Sequence, residues 1–145
     1  MIFTIITLQT FIHELGGSIL ESLSVFFLAV LFLQSGFDKL VDRAGNLSWL
    51  KDHFSKSPLS GMVSFLLSVV TLVEVIAGLA SLIGAGWLVF NGDSTFAIIG
   101  TIFSMLALVM LFAGQRIAKD YAGAQSLVSY FILTIITLLM LLDKI

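Results

Sequence analysis

Between Leu59 and Phe90 the chain runs for 32 residues with a single charged side chain, Glu74. A helix rises about 1.5 Å per residue and a bilayer's hydrocarbon core is about 30 Å thick, so roughly 20 apolar residues cross it. This stretch can cross with a tilt, or with its ends among the headgroups. Glu74 falls near its middle. A carboxylate at that depth must face protein or water and find a partner, or carry a proton. What stands opposite Glu74 is the first question the sequence poses.

The rest of the composition agrees with a membrane. Hydrophobic residues make up 59% and charged residues 11%, with a mean hydropathy of +1.12. Soluble domains are about one quarter charged. A net charge of −2 with no basic stripe argues against nucleic-acid binding. The chain has no cysteine, which excludes disulfides, thiolate catalysis, iron–sulfur clusters and thiolate metal sites. The first residues lack a basic n-region and an A-x-A-like cleavage site, so no signal peptide is expected.

In chain order, residues 1–17 form a segment of their own. Met1–Leu15 is apolar with a loose polar face of Thr4, Thr7, Thr10 and Glu14, and Gly16-Gly17 interrupts it. Fifteen residues are too few to span, so a short interfacial helix is expected. Ser18-Ile19-Leu20-Glu21 has capping-box spacing and opens a first span over about 18–41. Asp42–Ser57 is charged, with Trp49, Leu50 and Phe54 interleaved, as in a helix lying on the bilayer surface. Ser57-Pro58 suits a helix start, giving a second span over 59–90. Asn91-Gly92-Asp93-Ser94 is a tight turn. Further spans follow over 95–113 and 122–142, joined by the polar connector Gly114–Tyr121.

The expected fold is therefore all-α: a polytopic membrane protein with an antiparallel bundle of four transmembrane helices over residues 18–145, preceded by the interfacial helix. Small residues at four-residue spacing, Ala77-x3-Ser81-x3-Ala85, Ala80-x3-Gly84 and Gly100-x3-Ser104, suit close helix crossings. Lys39, Arg43, Lys51, Lys56, Arg116 and Lys119 flank the first and third connections, and Lys144 alone lies opposite. The positive-inside rule puts connections 42–58 and 114–121 in the cytoplasm and both termini outside.

Gly36-Phe37-Asp38-Lys39-Leu40 resembles the G-F-x-K-[LM] end of the first helix in the DoxX family of small bacterial membrane proteins. The proline-ended connection before a helix carrying Glu74, Ala77 and Gly78 resembles it too. The connector from Gly114 to Ala124 is similar to that of a Bacteroidetes branch of the family. The resemblance covers roughly Ser18–Leu142. It implies a four-helix protein of the bacterial cytoplasmic membrane, linked in some members to thiosulfate:quinone oxidoreductase or to oxidative-stress assemblies.

Candidate chemistry centres on Glu74. It is either a proton-relay carboxylate or ligand partner, or a structural carboxyl bonded to Gln34, a hydroxyl, Tyr130 or backbone. Lys39 either reaches Glu74 or an anionic ligand, or snorkels to the interface. Counted from Pro58, Glu74 is about 24 Å up its helix, which sets it far from Lys39 unless the two helices are offset. At the membrane face, Gln115, Arg116, Lys119, Asp120 and Tyr121 form the densest polar cluster, in which helical spacing would pair Arg116 with Asp120 and Gln115 with Lys119. It is either a site for an anionic headgroup or substrate, or an ordinary charged connector. His13 and His53 are expected at opposite faces, which argues against a bis-histidine haem, and no metal-ligand spacing appears. No catalytic set, phosphate loop or dinucleotide fingerprint is present.

The leading functional expectation is a small non-catalytic subunit that recruits or stabilises a partner in a membrane redox, respiratory or envelope complex. Its partners would be the bilayer and other subunits or further copies of the chain. The alternative is a quinone- or proton-linked oxidoreductase subunit with a site at Glu74, with quinone as the possible cofactor and no haem, metal or iron–sulfur cluster expected. A small-molecule transporter is the weaker third reading.

Overall fold

The computed structural model describes residues 2–143, with side chains from residue 16 onward. Every regular element among them is helical. Helix α1 spans Ile2–Val41, α2 Arg43–His53, α3 Val63–Asn91, α4 Thr95–Ile117 and α5 Tyr121–Leu142, with a single 3₁₀ turn over Ser60–Met62 leading into α3. Four segments are long and apolar enough to cross a bilayer: Gly16–Val41, Ser60–Asn91, Thr95–Ile117 and Tyr121–Leu142. They pack as a bundle, so the chain is an all-α multi-pass membrane protein.

Helix α3 is central, with α1 against one side and α4 against the other. Helix α5 packs chiefly on α4 and touches α1 lightly. The crossings are close because the sequence supplies glycines there. A Cβ on Gly78 of α3 would fall 2.7 Å from the backbone N of Leu33 on α1. One on Gly100 of α4 would fall 2.5 Å from the backbone N of Ser81 on α3, and one on Gly84 would strike the backbone of Ala97. Packing at such distances replaces the hydrophobic effect as the main attraction between helices in lipid. Inside, Leu28, Phe32, Val73, Ala77, Ala107 and Leu108 form one buried cluster. Outside, Phe65, Leu72, Val89, Ile102 and Leu139 are exposed, as lipid-facing side chains are.

Several boundaries differ from the sequence expectation. Helix α1 runs through Gly16-Gly17 without a break, so residues 2–15 continue the first span's helix rather than forming a separate one. The polar face proposed for Thr4, Thr7, Thr10 and Glu14, and His13, lie outside the described side chains. Ser18 and Glu21 consequently sit within a helix rather than at its start. The Ser18 carbonyl accepts from Ser22 Oγ at 2.8 Å, and Glu21 is buried. Ser57 does not cap α3 either. Its hydroxyl accepts from Leu59 N at 3.2 Å in a local turn, and α3 follows only after the 3₁₀ turn.

The expected turn after α3 forms as read. Gly92 takes the left-handed conformation at φ 69° and its N–H bonds back to Leu88 O. The connector before α5 is shorter than expected. Helix α4 continues to Ile117, leaving three residues before Tyr121. It ends in a Schellman motif: Asp120 N donates to Gln115 O at 2.9 Å and Lys119 N to Arg116 O at 3.1 Å. Lys119 holds the left-handed position, at φ 64°, where glycine is usual. Asp120 then caps α5, its Oδ1 accepting from Gly123 N at 2.8 Å.

Candidate functional site

Glu74 is fully buried on the face of α3 that meets α1. Its neighbour is Lys39. The Lys39 Nζ lies 2.9 Å from Glu74 Oε2 and donates to Oε1 at 3.1 Å. The contact with Oε2 is an ion-pair contact without hydrogen-bond geometry. Ser35, one turn before Lys39, completes the cluster. Its hydroxyl donates to Glu74 Oε1 at 3.0 Å and accepts from Lys39 Nζ at 2.7 Å. The ammonium also donates to the Ser35 carbonyl at 3.2 Å. A lysine ammonium has three protons, and all its donors find acceptors on α1 and α3. The cluster neutralises the one buried charge of α3 and ties the two helices together.

The apparent distance between Lys39 and Glu74 disappears because the helices are offset. Gly36 lies against Val75 and Leu33 against Gly78, so the last residues of α1 stand level with the second and third turns of α3. The first turns of α3 extend past the end of α1. Arg43 marks the boundary on α3: its Nη2 donates to Ser68 Oγ at 2.6 Å. Glu74 is six residues beyond Ser68, about 9 Å, and seventeen before Asn91, about 26 Å. It therefore lies nearer the charged face than the opposite one.

Gln34 and Tyr130, the other expected neighbours of Glu74, do not reach it. Gln34 is exposed on the outside of α1. Tyr130 of α5 packs on the apolar core, its ring stacked 6.3 Å from Phe27. Ser35 was not singled out from the sequence, although its four-residue spacing from Lys39 placed it on the same helix face.

Beneath the end of α1, the overhanging turns of α3 meet α2 and the end of α4 around a cavity of about 290 Å³. Leu50, Phe54, Leu59, Val63, Leu67, Val70 and Met110 supply apolar walls, while Lys39 and Gln115 bring polar groups to it. Such a space admits a small amphiphile: an apolar body with a polar end beside Lys39 and Gln115.

The polar cluster at the end of α4 is organised through α2 rather than along one helix. Because α4 stops at Ile117, the pairs Gln115–Lys119 and Arg116–Asp120 are not aligned. Instead His53 of α2 bridges the connector. Its Nε2 is 3.0 Å from Gln115 Oε1 and 3.8 Å from Asp120 Oδ2. Both neighbours are acceptors, which favours the proton on Nε2. The ring stacks on Trp49 at 4.8 Å, and Phe54 packs against its edge. Arg116 lies over the Tyr121 ring at 4.6 Å. Connections 42–58 and 118–120 thus share one end of the bundle. At the far end, Asp93 Oδ1 accepts from Thr95 Oγ1 at 2.7 Å and Thr95 N at 2.8 Å, and these bonds, the side-chain one foremost, hold its pKa below the ordinary 3.8.

No family model, no curated protein and no solved structure matches this chain.

Proposed function

We propose that the chain is a small non-catalytic component of a membrane complex, DoxX-like in the sense of its Gly36–Leu40 motif, which recruits or stabilises a partner. The observation that carries this reading is the internal satisfaction of Glu74. Its carboxylate is fully buried and held by Lys39 and Ser35, so its first role is to register α1 on α3. The excess of lysine and arginine at one end supports a cytoplasmic-membrane protein with that end inside and both termini outside.

Glu74→Gln alone does not test the proposal, because it strands the Lys39 ammonium. The paired variant Lys39→Met/Glu74→Leu removes both charges together. Affinity purification of wild-type protein from native membranes defines the partner, and the paired variant is then purified in the same way. A folded paired variant that still recovers the partner is expected. One that folds and loses the partner would make the ion pair functional and overturn the reading.

The cavity favours a second reading, a quinone- or proton-linked oxidoreductase subunit, because Lys39 lines an otherwise mostly apolar space. Lipid extraction and spectroscopy of the purified protein test it. Bound quinone displaced by Leu67→Trp, which fills the cavity, is the expected result. Extracts free of quinone, or quinone retained by that variant, count against it.

A further inference from the structure

We propose that Gln34 is the centre of a two-fold contact between two copies of this chain within the bilayer. Gln34 is exposed on α1 and makes no hydrogen bond with any described residue. Its neighbours fix its depth. Leu33 lies against Gly78 and Gly36 against Val75, so Gln34 is level with residues 76–77 of α3. That is about 12 Å past Ser68, inside the hydrocarbon and beyond the reach of a short side chain to the headgroups.

An amide in hydrocarbon without partners is costly, and polar side chains there hydrogen-bond across helices. The exposed hydroxyls of the bundle avoid the cost locally. Ser24 donates to Leu20 O at 2.8 Å, and Ser68 to Ser64 O at 2.9 Å. Gln34 does not. Its amide offers donors and an acceptor at once. The same residue on a second copy, related by a two-fold axis, can therefore give and take a bond in return. Such a contact is isologous and closes at two copies.

The surroundings fit a helix rather than a lipid headgroup. Gln34 borders a groove of about 360 Å³ between α1 and α3, walled by Leu33, Phe37, Leu40, Val75 and Leu79. Phe37 is 64% exposed and can pack against its counterpart. Self-complementarity selects a second copy over a foreign helix, because one residue supplies both halves of the polar contact and one groove both apolar walls.

The test uses the full chain reconstituted in vesicles of phosphatidylethanolamine and phosphatidylglycerol. Single-molecule photobleaching counts the copies. Dimers are expected for wild type, with the dimer-to-monomer ratio falling roughly fivefold or more in Gln34→Leu and retained in Gln34→Asn. Gln34 is exposed and makes no hydrogen bond with any described residue, so an unchanged helical spectrum is expected in each variant. Because the chain has no cysteine, Phe37→Cys with Gln34 intact locates the contact by oxidative cross-linking, and Leu106→Cys on α4 is the control. Monomers alone, an equal ratio in Gln34→Leu, or cross-linking at Leu106 rather than Phe37 overturns the proposal. So does cross-linking of Phe37→Cys in native membranes to a different protein in place of a second copy.

Discussion

Lys39 and Glu74 stand at one level of the bundle, 2.9 Å apart, although Lys39 is two residues from the end of α1 and Glu74 eleven residues into α3. The pair exists only because α3 begins before the level at which α1 ends. Removing either partner leaves an uncompensated charge next to apolar walls, at a cost of about 3–5 kcal/mol, whereas replacing both with apolar residues is often neutral or stabilising. Lys39→Met and Glu74→Gln are each expected to lower the unfolding midpoint in detergent strongly. Lys39→Met/Glu74→Leu should recover most of the loss. An additive double variant would show that the pair is not coupled.

Two glycines on α3 should respond in opposite directions. A Cβ at Gly84 strikes the backbone of Ala97, and backbone cannot step aside, so Gly84→Ala is expected to destabilise by about 1–3 kcal/mol. A Cβ at Gly86 meets nothing within 4 Å. Gly86→Ala should therefore stabilise by roughly 0.5–1 kcal/mol through helix propensity. Unfolding of the two variants in mixed micelles gives the comparison.

Lys119→Gly should stabilise the protein by about 1 kcal/mol. The left-handed position of the Schellman motif suits glycine, and the lysine side chain at φ 64° contributes no hydrogen bond in return. Lys119→Ala keeps the strain and serves as the control, with an expected change near zero.

The pH response at the α3–α4 turn follows from Asp93. Its carboxylate is favoured in the folded state by the bonds from Thr95, which depress its pKa below 3.8. A group with a depressed folded pKa contributes stability that is complete above the unfolded value and lost as pH falls through the folded one. The contribution of Asp93 should thus be constant at neutral pH and disappear below 3.8. Carbon-13 titration of the carboxyl should give a midpoint below that of Thr95→Ala, in which the leading bond is absent. Equal midpoints would count against the assignment.

The four spans were legible because length and apolarity decide them, and Gly92 announced its turn through its backbone freedom. Local signals near Gly16 misled. Ser18 and Glu21 have the spacing of a cap, but a cap acts only where a helix begins, and α1 is already under way. The site was half legible. Glu74 and Lys39 stood out as charges, yet their depths were counted as though each helix started at one common level. Hydropathy carries no information about such an offset, which the glycine contacts at Gly36 and Gly78 set. Gln34 and Ser35 are adjacent in sequence and about 100° apart around α1. Which of them faces Glu74 is a question of helix rotation, decided by packing against α3. The polar connector failed for a related reason: four-residue spacing pairs side chains only while the helix continues, and α4 ends at Ile117.

The ion pair also implies an order for the protein's biogenesis. Lys39 and Glu74 are 35 residues apart, so at about 5–20 residues per second several seconds of translation separate them. In that interval Lys39 lacks the carboxylate it pairs with in the folded protein, and its long side chain can lean toward the headgroups. When α3 arrives, its carboxylate enters lipid most cheaply against α1. The two helices are therefore expected to leave the insertion machinery as a joined hairpin, with α1 retained until its partner has been made.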